Sequence, residues 1–188
     1  MSEVVQTTIR FLDNVIDANR YSVAEIERMT KSTRKVGLGV MGLADMLVNL
    51  GIPYNSQDGL DLGRKLMRFI QEQSDNTSED LAAERGNFPA YEGSTFDRDG
   101  RPMRNACRLT VAPTGTISMI AGCSSGIEPL FSLCYHKHNI LGGESLLYVD
   151  ANFERAAMQR GFYSEELMEY LANGGSIQNR PDVPQDLS

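Results

Sequence analysis

The sequence predicts an α/β chain, helix-rich with a few short strands. Apolar residues recur at helical spacing near both ends, two runs rich in β-favouring residues lie between positions 107 and 140, and Gly or Pro punctuates the changes of period. With 188 residues, 41% of them apolar, the chain can bury a sizeable core as one domain or a piece of one.

The first element is an amphipathic helix in VVQTTIRFLDNVID. Val5, Ile9, Leu12 and Ile16 recur every three or four residues, Val4, Phe11 and Val15 widen the stripe, and the pattern runs to about Asn19. A polar segment around KSTRK follows. An apolar run from Leu43 to Leu50, stopped by Gly51 with Pro53 beyond, predicts a short, mostly buried helix. Ser56 can cap a longer helix that carries Asp58 and Asp61 near its positive end. Leu62, Leu66, Phe69 and Ile70 supply its core face, and it continues through Leu81 to about Arg85, ending at Gly86. Positions 87–103 mix Gly, Pro, Asp and Tyr without a period and predict a loop. CRLTVA reads as a strand with Leu109 and Val111 on one face, and FSLCYHKHNI as another. Helices follow from Asn152 to about Arg160, closed by Gly161, and from the Ser164 cap through EELMEYLAN, closed by Gly174. The chain ends in QNRPDVPQDLS with no evident terminal element.

Charge and composition narrow the function. Lys plus Arg number 18 against 25 Asp plus Glu, so no general electrostatic pull toward nucleic acid or an anionic membrane is expected, and an anionic ligand needs a local site. No apolar run approaches a membrane span and the N-terminus lacks a signal pattern, which predicts a cytoplasmic chain. Cys107, Cys123 and Cys134 are odd in number and lack C-x-x-C spacing, so reduced thiols are expected.

Three stretches are candidate sites. Gly37, Gly39 and Gly42 spell G-x-G-x-x-G, the pattern of a dinucleotide fingerprint. That fingerprint needs a buried strand before the glycines and an acidic residue about 20 positions on, at the end of a second strand. Here MTKSTRK precedes them, too polar for a central parallel strand, and Asp58 and Asp61 fall at a helix start. Close backbone packing at a helix entrance is the favoured reading. His136 and His138 would share one face of a strand, but no third ligand is placed, Lys137 lies between them, and no metal site is assigned. In PTGTIS, Pro113 stops a strand and Thr114, Gly115, Thr116, Ile117 and Ser118 form a turn that could open a helix at MIAG. Such a turn can aim backbone N–H groups and three hydroxyls at an anion, with the helix dipole adding attraction. It is not a Walker loop, so ATP hydrolysis is not implied, and a hydroxyl-rich capped turn explains the same residues.

Together these residues resemble the large catalytic chain of ribonucleotide reductases, most closely the adenosylcobalamin-dependent (class II) type. The matching pieces are RKVGLGVMGLADML, GIPYNS, LAAERGNFP, RNACRLTVAPTGTISMIAGCSSGIEPLF and NFERAAMQRGFYSEELM, in the family's order and over nearly the whole chain. The resemblance implies that residues 1–188 are a single incomplete domain, part of that family's ten-stranded α/β barrel. It implies conversion of ribonucleotides to deoxyribonucleotides by thiyl-radical chemistry, with Thr114, Gly115, Thr116, Ile117 and Ser118 contacting the substrate's phosphates. The glycine fingerprint becomes a packing feature. The finger loop with the radical cysteine, an N-x-C-x-E type motif, lies upstream of the region matched, so no catalytic residue is assigned and all three cysteines are expected to be structural. Adenosylcobalamin is the implied cofactor of the complete enzyme, without assigned contacts here. The implied partners are the ribonucleotide substrate and the complementary part of the reductase, with no nucleic acid and no membrane. The chain alone is expected to be inactive and, with apolar surface uncovered, to self-associate. A stand-alone nucleotide- or phosphate-binding module without catalysis is the alternative; an NAD-dependent oxidoreductase built on Gly37, Gly39 and Gly42 is a weaker one.

Overall fold

Val5 and Ile9 turn one face of α1 (Ser2–Ala18) onto α4 (Gln57–Arg85) and with Ile70 and Leu81 form the first of two cores, while Ile16 is buried further along the same helix. The structure, a computed structural model, describes residues 1–140, 144–178 and 180–184; the rest of the terminal QNRPDVPQDLS segment, at 179 and 185–188, lies outside them. Helix α4 begins and ends where its caps require. The Ser56 hydroxyl accepts the Gly59 N–H at 3.0 Å, and Gly86 follows the last helical residue.

Between these helices lie α2 (Ala24–Thr33) and α3 (Leu43–Asn49). The polar segment around KSTRK begins as the end of α2. The helix escapes hydrophobic periodicity because none of its residues is buried; Glu25 and Glu27 in its first turn and Lys31 in its last, paired to Glu27 at 2.6 Å, support it instead. Helix α3 is less buried than its apolar run suggests. Only Ala44 and Leu47 enter the core, while Val48 and Leu50 face solvent.

A charged knot ties these pieces together. Asp13, fully buried on α1, accepts from Arg34 Nε at 2.9 Å, Arg85 Nη1 at 3.0 Å and Asn105 Nδ2 at 2.9 Å, with Arg104 Nε at 3.4 Å. Asp75 and Arg108 form a second buried pair at 2.8 Å. Positions 87–103 are loop apart from the single turn α5 (Thr95–Arg98), capped by Ser94.

CRLTVA does not form a full strand. The Val36 N–H donates to the Cys107 carbonyl, the Leu38 N–H to that of Arg108, and the Thr110 N–H back to Leu38, a short parallel ladder with one bridge, Leu38 to Leu109. Leu109 packs on the first core, but Val111 lies beyond the last ladder bond and is exposed. Helix α6 (Gly115–Ala121) follows, starting at Gly115 and not at MIAG.

The second core belongs to the last third. Strands β1 (Cys134–Ile140) and β2 (Glu144–Val149) pair antiparallel with Cys134 opposite Val149 and Tyr135 opposite Tyr148. Helices α7 (Ala151–Arg160), capped by Asp150, and α8 (Glu165–Ala172), capped by Ser164, close over them. Cys134, Ala157, Phe162, Leu167, Met168, Leu171 and Val183 form this core. Among the described residues no helix is long and apolar enough to cross a membrane.

Candidate functional site

Thr114 is the N-cap of α6 and stands in the left-handed region at φ 53°, costly for a β-branched residue. Two bonds hold it there. Its carbonyl accepts the Ser118 N–H at 2.9 Å, and its hydroxyl accepts the Gly126 N–H at 2.7 Å, a role that leaves the donor capacity of the hydroxyl unused.

The first-turn N–H groups of Gly115, Thr116 and Ile117 have no helical acceptor, and no side chain caps this end of α6. All three residues are exposed. Ser118 differs. It is 2% exposed, and its hydroxyl donates to the Gly115 carbonyl at 3.3 Å and lies 2.9 Å from Ser125 Oγ. The five residues singled out in the sequence therefore divide: Gly115, Thr116 and Ile117 are exposed with open first-turn N–H groups, Thr114 is half-buried at the cap, and Ser118 secures the turn from within. The arrangement can bind a small anion through three backbone N–H groups and two hydroxyls without a lysine.

The glycines of G-x-G-x-x-G have a different task. Gly37 sits inside the parallel ladder and Gly39 just past it, where a Cβ at Gly37 would come within 2.9 Å of Thr110 Cγ2 and one at Gly39 within 3.3 Å of the Thr110 carbonyl. A fingerprint requires glycines after the strand, and Asp58 and Asp61 belong to α4, so the geometry is one of packing.

His136 Nε2 lies 3.0 Å from Glu169 Oε1, and His138 Nδ1 lies 2.9 Å from Ser145 Oγ. Among the described residues no group of His, Cys, Asp and Glu is arranged to hold a metal. The cysteines occupy three unlike places. Cys107 is exposed; burial pushes the Cys123 thiol up, helped by Asp45; Cys134 is buried in the second core, where burial and then Asp150 and Glu154 push its thiol to about 11.

What sequence reasoning missed is the wall behind the turn. GCSSGIEP follows PTGTIS in the same matching piece, but nothing local shows that Ser125 and Gly126 reach back to Ser118 and Thr114. The signal available was Gly126 itself, whose Cβ would lie 2.7 Å from the Ala112 carbonyl.

Comparison with known proteins gives consistent results. The family described as ribonucleotide reductase, barrel domain, matches residues 1–102 and 97–188. A vitamin B12-dependent ribonucleoside-diphosphate reductase of Thermoplasma acidophilum is 52% identical over 179 residues, 95% of this chain and 23% of that protein. One of Mycobacterium tuberculosis is 46% identical over 187 residues, 100% of this chain and 27% of its own length. The chain thus spans about a quarter of the length of these curated relatives. Among solved structures, the class Id ribonucleotide reductase alpha subunit of Actinobacillus ureae superposes with a TM-score of 0.76 at 23% identity, over 98% of this chain and 33% of that one, and shares its fold.

Proposed function

The chain belongs to the ribonucleotide reductase barrel-domain family, and on that premise we propose that it is a segment of a ribonucleoside-diphosphate reductase whose α6 N-terminus grips the substrate's phosphates. The observation that carries this reading is the likeness to vitamin B12-dependent reductases along nearly the whole chain. The open donors of Thr114, Gly115, Thr116 and Ile117 support it, with Ser118 acting from within.

The reaction replaces a ribose 2′ hydroxyl by hydrogen. A cysteine thiyl radical takes the 3′ hydrogen, the 2′ oxygen leaves as water, and a thiol pair supplies two electrons. Cys107, Cys123 and Cys134 do not form such a set, since one is exposed, one half-buried and one sealed in the second core. This segment contributes orientation: fixing the phosphates fixes the ribose, which can lower a barrier by several kcal/mol. Adenosylcobalamin is the radical source this reading implies for the complete enzyme. No contact of the described residues with it is assigned, so no step is routed through the cofactor here. The same reading gives a cytoplasmic enzyme whose deoxyribonucleotides supply DNA replication, and a chain that works with the complementary part of the barrel.

The test mixes this chain with a polypeptide carrying the rest of the barrel and its finger loop, and follows deoxyribonucleotide formation. Turnover that requires both chains and adenosylcobalamin is expected. Turnover by this chain alone would overturn the division of labour. Saturable nucleotide binding without turnover in any mixture would favour a stand-alone phosphate-binding module, a reading supported by the fact that the hydroxyl partners of Thr114 and Ser118 all lie within residues 115–126.

A further inference from the structure

Helix α3 has a cap made of two distant segments. Its N-cap, Gly42, has no side chain to offer. The hydroxyl comes instead from Ser124: the Asp45 N–H donates to Ser124 Oγ over a long 3.4 Å, and Asp45 Oδ2 in return accepts the Ser124 N–H at 2.6 Å. The Gly42 N–H donates to the Ser124 carbonyl at 2.8 Å. This reciprocity is that of a capping box, split between residues 79 positions apart. The second carboxylate oxygen, Asp45 Oδ1, accepts Asn152 Nδ2 at 3.1 Å and so ties the same point to the first turn of α7.

Ser124 is followed at once by the two residues that hold the phosphate turn from behind. Ser125 Oγ meets Ser118 Oγ, and the Gly126 N–H meets Thr114 Oγ1. Two residues of backbone leave little slack, so where Ser124 is docked decides where the Gly126 N–H points. Without that bond, Thr114 has less to keep it in its left-handed conformation, and the N–H groups of residues 115–117 lose their common aim.

We infer that Asp45 is a positioning residue for the phosphate turn, docking the 122–126 loop so that Thr114 and the first turn of α6 stay set to receive a diphosphate. The inference deepens the phosphate-grip reading and rests on it. In this role Asp45 acts on the turn and not on the substrate. Its effect passes through Ser124 and Gly126.

Asn at position 45 is the informative change. Its side chain has one acceptor and one donor, so it can satisfy the Ser124 N–H or Asn152 Nδ2 but turns a donor toward the other. Asn152→Asp supplies the missing acceptor, and a carboxylate is favoured in the first turn of a helix. The experiment measures, on the full chain, the affinity for a ribonucleoside diphosphate and for the matching ribonucleoside, together with hydrogen exchange at the Gly126 amide. Asp45→Asn is expected to weaken diphosphate binding about tenfold, leave nucleoside binding unchanged and quicken Gly126 exchange about tenfold. Asp45→Asn/Asn152→Asp is expected to restore both within about twofold. Unchanged diphosphate affinity and exchange in Asp45→Asn would overturn the inference, as would equal losses for both ligands that the exchanged pair does not repair. A wild-type chain that binds no diphosphate, yet whose Gly126 exchange follows Asp45 and is restored by the exchanged pair, would sink the phosphate reading and leave the docking role standing.

Discussion

Asp13 occupies a place where a helix pattern calls for an apolar side chain. The sequence stripe runs through Val5, Ile9, Leu12 and Ile16, whereas the buried set is Val5, Ile9, Asp13 and Ile16, with Leu12 half-buried. Periodicity cannot admit a carboxylate to a core, because what makes it tolerable is the supply of guanidinium and amide donors from Arg34, Arg85, Arg104 and Asn105, up to 92 residues away. Removing one member of such a cluster leaves the others buried and uncompensated. Asp13→Ala is therefore expected to destabilise the fold by about 3–5 kcal/mol, read from the shift in urea midpoint; a change below about 1 kcal/mol would mean that the arginines find water instead. The phosphate turn follows the same logic. Its residue types are legible in PTGTIS, but the inward turn of the Ser118 hydroxyl depends on the loop that returns to it, and residue spacing does not show where that loop runs.

Elements with their own chemical punctuation are the legible ones. Ser56, Ser164, Gly86 and Gly161 mark helix ends that the structure keeps, since a cap is a contact between near neighbours. Helix α2 and strand β2 lack such signals. In β2, Leu146, Leu147 and Tyr148 are all exposed, so no alternation distinguishes an inner face, and the strand forms because β1 lies beside it. The junction of β1 with α8 carries a pH dependence. Cys134 is 1% exposed there, and its thiol titrates near 11 when folded against an ordinary value of 9. The unfolded chain loses that proton first, so the contribution is complete below pH 9 and is lost as the pH rises through 11. Urea midpoints are expected to fall across that window in the wild type and to fall less steeply in Cys134→Ala. Tyr135, pushed up by burial and then by Tyr148, titrates in both proteins, so the difference between the two slopes isolates the thiol. Parallel slopes would place Cys134 in water.

At the scale of the whole molecule, the apolar surface is greater than two small cores require. Val4, Phe11 and Val15 of α1 are exposed together, at spacings that bring them to one face. Around α6, Ile120 is 83% exposed and Phe131 96%, with Val111, Ile117 and Met119 also open. Scattered apolar residues are normal on a surface, but contiguous stripes of large side chains mark places where something else packs. In the proposed complete enzyme that something is the rest of the barrel, and in its absence the cheapest cover is another copy of the chain. The sequence foretold exposed apolar surface through the barrel resemblance, but not its location, since the α1 stripe reads equally well as a wide core face. Light scattering over a concentration series is expected to show mass rising above 20.8 kDa. Phe11→Ser with Phe131→Ser should lower the concentration dependence without shifting the urea midpoint, because neither side chain belongs to a core cluster. A strictly monomeric wild type at high concentration would show that these stripes are tolerated in water, and would remove the surface argument for a complementary chain while leaving the family assignment untouched.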